Sequence, residues 1–390
     1  MKKAPDIRFK DFTDAWEQRK VGDYLIESRI KGNTGNEARK ITVKLWGKGV
    51  VEKNDLGGSE HTQYFIRKAG QFIYSKLDFL NSAFGVIPEN LDEYESTADL
   101  PAFDLEGMNP HFMYYVAIQK DFYLKNGSIA DGSRKAKRIH AHTFLDMPIR
   151  VPSLSEQNTI VHYLQHLDHL IPLHQRKLEK LKLMKEAMLD KMFPKEGAKV
   201  PEIRFKGFND EWVSCSIGEC FSERSERSAI GELLSVTINS GVIKASELNK
   251  HDSSSEDKSN YKCVKKDDIA YNSMRMWQGA SGHSSYDGIV SPAYTVIVPK
   301  EGVNSVFFAY MFKKPEIVWK FEINSQGLTK DTWNLKYPAL SSIMIMKPCH
   351  EEQLKIAESL LNIDHAILNH QHKLEKLKQF KESMLDKMFI

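Results

Sequence analysis

The sequence predicts an α+β protein built as a tandem, pseudo-symmetric repeat: two mixed α/β bodies, each followed by one long α-helix. Three observations predict it. "HQRKLEKLKLMKEAMLDKMF" (174–193) recurs as "HQHKLEKLKQFKESMLDKMF" (370–389), with sixteen of twenty positions identical. "PDIRFKDFTDAW" (5–16) recurs as "PEIRFKGFNDEW" (201–212) at the same offset of 196 residues. Just before the helices, Pro152, Glu156, Gln157, Ile160, Leu164, Asp168 and His169 recur as Pro348, Glu352, Gln353, Ile356, Leu360, Asp364 and His365. A repeat of this period sets the architecture before any single element is considered. It divides the chain into a first body with its leading segment (1–153), a central helix (154–193), a "PKEGAKV" linker (194–200), a second body with its leading segment (201–349) and a terminal helix (350–390).

Between the shared ends the bodies diverge, but a skeleton persists. "GQFIYSKLDFLNSAFGVI" near residue 70 is similar to "DDIAYNSMRMWQGASGHS" near 267, and "LPAFDL" (100–105) to "SPAYTV" (291–296). Short β-branched and aromatic runs broken by Gly, Asn and Pro predict strands and turns. "NPHFMYYV" (109–116) and "NSVFFAYM" (304–311) each predict a helix capped by its asparagine. A shared frame with divergent loops is the pattern of a recognition module.

In the first helix Ile160, Leu164, Leu167, Ile171, His174, Leu178, Leu181, Lys185, Met188 and Met192 follow a heptad seam with one polar layer. The second repeats it as Ile356, Leu360, Ile363, Ile367, His370, Leu374, Leu377, Lys381, Met384 and Met388. Identical spacing suits the two seams to each other. Ordinary core helices would have drifted with their bodies. Pro172 is expected to kink the first helix, because it removes one backbone bond; the second has Leu368 there.

Composition narrows the function. Apolar residues make up 41% and charged residues 27%, with a net charge of +3. That is too mild for a protein that coats DNA by charge alone, but it permits positive charge gathered on one surface. No apolar run is long enough to span a membrane. The opening lysines are followed by no apolar stretch of signal-peptide type. Cys215, Cys220, Cys263 and Cys349 form no Cys-x-x-Cys, so reduced thiols are expected rather than a disulfide framework or zinc ribbon.

Catalytic motifs are lacking. There is no phosphate-binding G-x-x-x-x-G-K-[ST], and "GKGVVE" at Gly47 fails the dinucleotide pattern at its third glycine. Asn109 could be mistaken for a methyltransferase Asn-Pro-Pro-aromatic loop, but its counterpart Asn304 in "NSVF" makes it a repeated helix start. His162, His166 and His169 share a helical face and could in principle hold a metal. The second copy has Glu358, Asn362 and His365 there, which favours a solvated face. No metal ligand and no catalytic residue is assigned.

Two variable bodies, each preceded by P-x-I-R-F-K-x-F-x-x-x-W and followed by a long helix ending in "MLDKMF", resemble the specificity subunit of type I restriction–modification enzymes. The resemblance covers nearly the whole chain. It implies that each body is a target-recognition domain reading one half of a bipartite double-stranded DNA site. It also implies that the two helices pack as an antiparallel coiled coil that sets the half-site spacing. Two methyltransferase subunits would dock there, on seam residues Leu164, Leu167, Ile171, Leu178, Leu181, Met188, Met192, Leu360, Ile363, Ile367, Leu374, Leu377, Met384 and Met388, and restriction/translocase subunits would dock through them. S-adenosylmethionine, ATP and Mg²⁺ would belong to those partners, this chain would be non-catalytic, and its location would be the bacterial cytoplasm, at the nucleoid when on DNA. A bivalent coiled-coil scaffold that binds only proteins is the rival reading; a self-contained restriction–methylation enzyme is disfavoured by the lacking motifs.

DNA reading needs phosphate anchors and side chains that reach base edges. In the first body the candidates are Arg39, Lys40, Lys44, Trp46 and Lys48 of "RKITVKLWGKG", Lys76 of "YSKLDFL", and Arg134, Lys135, Lys137 and Arg138 of "SRKAKR". In the second they are Asn239, Ser240 and Lys244 of "NSGVIK", Asn272, Ser273, Arg275, Trp277 and Gln278 of "YNSMRMWQG", and Lys330 and Trp333 of "LTKDTW".

Overall fold

In a computed structural model the described residues are 4–54, 59–128, 138–248 and 257–389. They form two compact units: Met1–Gln175 with His372–Ile390, and Arg176–Gln371. These differ from the boundaries read along the sequence, because each long helix is shared. The central helix, Leu154–Lys191, gives its first half to unit 1 and its second half to unit 2. The terminal helix, His350–Lys387, does the reverse.

Unit 1 is organised on a four-stranded antiparallel sheet of Leu25–Ser28, Ala102–Leu105, Phe72–Tyr74 and Phe84–Val86, in that order. In its strand Phe72–Tyr74 every residue is buried, because successive side chains point to opposite faces and both faces are covered. Phe72 and Tyr74 enter the large core with the helices, and Ile73 enters a smaller one with Ile41, Val43 and Leu91. Unit 2 repeats the arrangement with Phe221–Glu223, Tyr294–Pro299, Ile269–Asn272 and Ser281–His283. There Ile269 and Tyr271 face the large core and Ala270 the small one. The diverged bodies thus keep one alternation.

Both asparagine-capped helices form. The Asn109 side chain accepts from the amides of His111 (2.9 Å) and Phe112 (3.3 Å) at the start of Pro110–Ala117. Asn304 accepts from Phe307 N (2.9 Å) at the start of Ser305–Met311. Each cap is also tied to a long helix, since the Asn109 and Asn304 amides donate to Gln157 Oε1 and Gln353 Oε1, both at 2.9 Å.

The long helices account for the near-identity of their sequences. Met384 and Met388 lie in the core of unit 1 with Leu164 and Leu167, and Met192 and Phe193 lie in the core of unit 2 with Ile356 and Leu360. Each helix end therefore closes the body of the other repeat and must fit a frame other than the one it follows. The leading segments receive these ends. Ile7 N donates to Lys387 O (3.0 Å) and Ile203 N to Lys191 O (2.9 Å). Trp16 stands edge-on to Phe389, and Trp212 to Phe193. Arg8 holds Glu156 through two bonds of 2.7 Å, as Arg204 holds Glu352.

Every predicted seam position is buried or half-buried. The polar layer has a partner in each unit. Lys381 pairs with Asp168, whose other oxygen accepts from Tyr115 Oη at 2.7 Å. Lys185 pairs with Asp364 at 2.6 Å, and Asp364 accepts from Tyr310 Oη at 2.6 Å. Burial, followed by the hydrogen bond to the carboxylate, raises the pKa of both phenols. Pro172 does not interrupt the first helix: it is exposed, and the helix continues on both sides of it.

Candidate nucleic-acid interface

Each unit carries a β-hairpin whose base is buried in the small core and whose tip is held out. In unit 1 Ile41–Val43 pairs with Val50–Glu52, and Lys44 N donates to Gly49 O (2.9 Å) to close the tip. At the tip Trp46 and Gly47 are both left-handed, each with φ 61°. Their amides donate to Asn81 O and Ser82 O, both at 2.8 Å, and Tyr114 Oη donates to Gly47 O at 2.6 Å. Asn81 and Ser82 end a 3-10 turn, Phe79–Asn81, whose cap Ser82 is itself left-handed. Lys44, Trp46 and Lys48 are exposed.

In unit 2 Leu234–Thr237 pairs with Gly241–Lys244, and the tip is Ile238, Asn239 and Ser240, all exposed. The equivalent 3-10 turn is Met276–Gln278, capped by left-handed Gly279. Lys313 bridges tip and turn, donating to Ile238 O (2.8 Å) and Gly279 O (2.5 Å). Glycine suits position 241: its φ is 64°, and a Cβ there would crowd Gly282 Cα at 3.3 Å. The two tips thus share one anchorage, made by backbone amides and a tyrosine in one unit and by a lysine in the other.

Burial lowers the Lys313 pKa from 10.5 to about 8. Between those values the unfolded chain binds more protons than the folded one, so Lys313 should make stability rise with pH across that window. Urea midpoints taken at about pH 7.5 and about pH 10 should show that K313M lacks this increment.

Three predicted residues of unit 2 converge beside the same turn. Trp277 and Trp333 meet edge-to-face at 5.5 Å, and Lys330 Nζ lies 5.4 Å from each ring. Arg275 is exposed, and Gln278 and Asn272 are half-buried; Asn272 Oδ1 accepts from Met274 N (3.0 Å) and shapes the turn.

Two candidates are buried. Ser273 is 6% exposed and shares a 2.8 Å bond with Thr295 Oγ1, because it faces the core as the chain leaves its strand. Lys40 is 4% exposed, its backbone bridged to Glu95 and its ammonium 5.9 Å from the Tyr64 ring. Three others are engaged within the protein. Lys244 lies over Tyr286, Arg39 stacks on Tyr94 at 4.7 Å, and Arg138 is 3.6 Å from Asp99. Lys76 is half-buried, and desolvation lowers its pKa. Arg134, Lys135 and Lys137 lie outside the described residues. His162, His166 and His169 are exposed on the central helix.

Sequence reasoning missed Tyr114 and Lys313, which pin the tips. Neither belongs to a motif, and only the packing of the capped helices, with Tyr114 inside Pro110–Ala117 and Lys313 just beyond Ser305–Met311, brings them under a hairpin. Among the described residues no helix is long and apolar enough to cross a membrane.

The sequence profile of the "Type I restriction modification DNA specificity domain" matches twice, over residues 10–183 and 209–379. Among solved structures the chain is similar to the type I restriction-modification system S subunit from M. genitalium, at 13% identity over 99% of both chains with a TM-score of 0.56. It also matches the HsdS subunit from Thermoanaerobacter tengcongensis, at 15% identity over 96% of both chains with a TM-score of 0.46. At these identities the M. genitalium match speaks to fold alone.

Proposed function

The chain belongs to the type I restriction–modification DNA specificity family, and on that premise we propose that each unit reads one half of a bipartite DNA target. The observation that carries this reading is the pair of hairpin tips. Their anchorage is equivalent, yet one presents Lys44, Leu45, Trp46 and Lys48 and the other Ile238, Asn239 and Ser240. A fixed frame with different tip chemistry suits two readers of different sequence. Asn239 has the donor–acceptor pair that matches adenine in the major groove.

The two long helices act as an antiparallel coiled coil that sets the half-site gap. Support comes from the polar layer: Asp168 and Lys185 are seventeen residues apart, as are Asp364 and Lys381, so both ion pairs fit one antiparallel register. Near-identical helix surfaces favour two copies of one partner. That partner is the methyltransferase subunit, through which the restriction/translocase subunit joins, and S-adenosylmethionine, ATP and Mg²⁺ act there. This chain supplies the address and no bond-making step.

Exchanging the body of unit 1, residues 20–150, for that of another family member tests the reading. Sequencing of methylated bases should show one half of the motif changed and the other half kept. Unchanged methylation would reject it in favour of a scaffold that binds only proteins.

A further inference from the structure

We propose that Trp46 is the side chain by which unit 1 contacts the base stack, its indole entering a base step of the half-site while Lys44 and Lys48 hold flanking phosphates. The inference rests on the reading of this chain as a DNA-recognition subunit and says how one half-site is read. Trp46 is 60% exposed and, among the described residues, stacks on no other ring. Its backbone is left-handed, at φ 61°, where a bulky residue is an outlier. The other left-handed positions of this tip, Gly47 and Gly49, are glycines. A turn shaped for stability alone would carry glycine or asparagine at 46 as well.

The strained conformation persists because its surroundings over-determine it. Three hydrogen bonds, from Trp46 N, Gly47 N and Tyr114 Oη, fix the tip to the capped 3-10 turn and the helix beneath it. The result is a large planar apolar group carried into solvent on a fixed backbone, so little backbone ordering entropy is lost when it meets a partner. Lys44 and Lys48 are exposed on either side, with no ion pair of their own among the described residues. An aromatic wedge between cationic phosphate anchors suits a nucleic acid more than a protein surface. The equivalent tip of unit 2 carries no aromatic residue, so the effect belongs to one half-site only.

The test uses the full complex with its methyltransferase partners, on duplexes whose motif and half-site assignment come from the body exchange. 2-Aminopurine is placed in each half in turn, away from the methylated adenine. The wild type should brighten the probe in the unit 1 half. W46G should abolish that signal and weaken specific binding by about ten- to a hundred-fold, the loss expected for one base–aromatic contact. Its Tm should stay level or rise, since glycine relieves the left-handed backbone. W46F should keep most of the binding and the signal. W46G that binds and brightens like the wild type would overturn the proposal, as would W46F failing as badly as W46G. A wild-type complex that binds no bipartite duplex would instead overturn the reading beneath it.

Discussion

Replacing Glu352 with alanine should destabilise unit 2 by about 3–5 kcal/mol, the cost of breaking a buried ion pair from one side. The Glu352 side chain is wholly buried, and Arg204 beside it is 12% exposed. Both carboxylate oxygens accept from the guanidinium at 2.7 Å, and this hydrogen bonding is the main reason the Arg204 pKa is raised. Alanine would leave the arginine charged, desolvated and without its acceptor at the point where the leading segment meets the start of the terminal helix. Glutamine keeps one acceptor and should cost less. The matching E156A should cost at least as much in unit 1, because Glu156 also accepts from Trp16 Nε1 (3.3 Å), whereas Trp212 Nε1 has no such partner. Urea unfolding followed by tryptophan fluorescence measures both. A loss below about 1 kcal/mol would place these pairs with weak surface bridges. Removing both partners together, as in R204M/E352L, should cost less than either single change, since no charge is then stranded.

Inserting seven residues into each long helix, between Asp168 and Lys185 and between Asp364 and Lys381, should widen the gap in the recognised site without changing either half. Seven residues lengthen a helix by about 10 Å, close to three base pairs at about 3.4 Å each. A heptad keeps the apolar seam in phase, and matched insertions keep both ion pairs at equal spacing. The same insertion in one helix alone would put one lysine out of reach of its aspartate, and methylation should then fall at every gap length. Methylation sequencing distinguishes these results. A changed base preference after the matched insertion would show that the helices do not act as a spacer.

Much of this molecule is legible from its repeat. The two bodies, the asparagine caps at Asn109 and Asn304 and the polar layer at Lys185 and Lys381 all follow from local chemistry or period. Caps and heptads act within one turn or one seam, and the 196-residue offset marks them twice. The exposure of the DNA candidates was legible only in part. Trp46, Lys48, Asn239 and the group of Trp277, Lys330 and Trp333 are accessible at or beside hairpin tips. Ser273 and Lys40 have equally suitable chemistry but face inward. Residue type sets what a side chain can do, and strand phase sets which way it points. In these short three- and four-residue strands the phase is decided by what packs on each face.

By itself the sequence determined the duplication, the long helices with their shared seam, and the exclusion of familiar catalytic motifs. Only the tertiary structure decided that each helix end closes the body of the other repeat, through Met384 and Met388 in unit 1 and Met192 and Phe193 in unit 2. It also decided that Tyr114 and Lys313 hold the two hairpin tips. Both depend on contacts between residues distant in the chain, which periodicity and local propensity do not encode. Such contacts are selected by the fit of one buried surface against another.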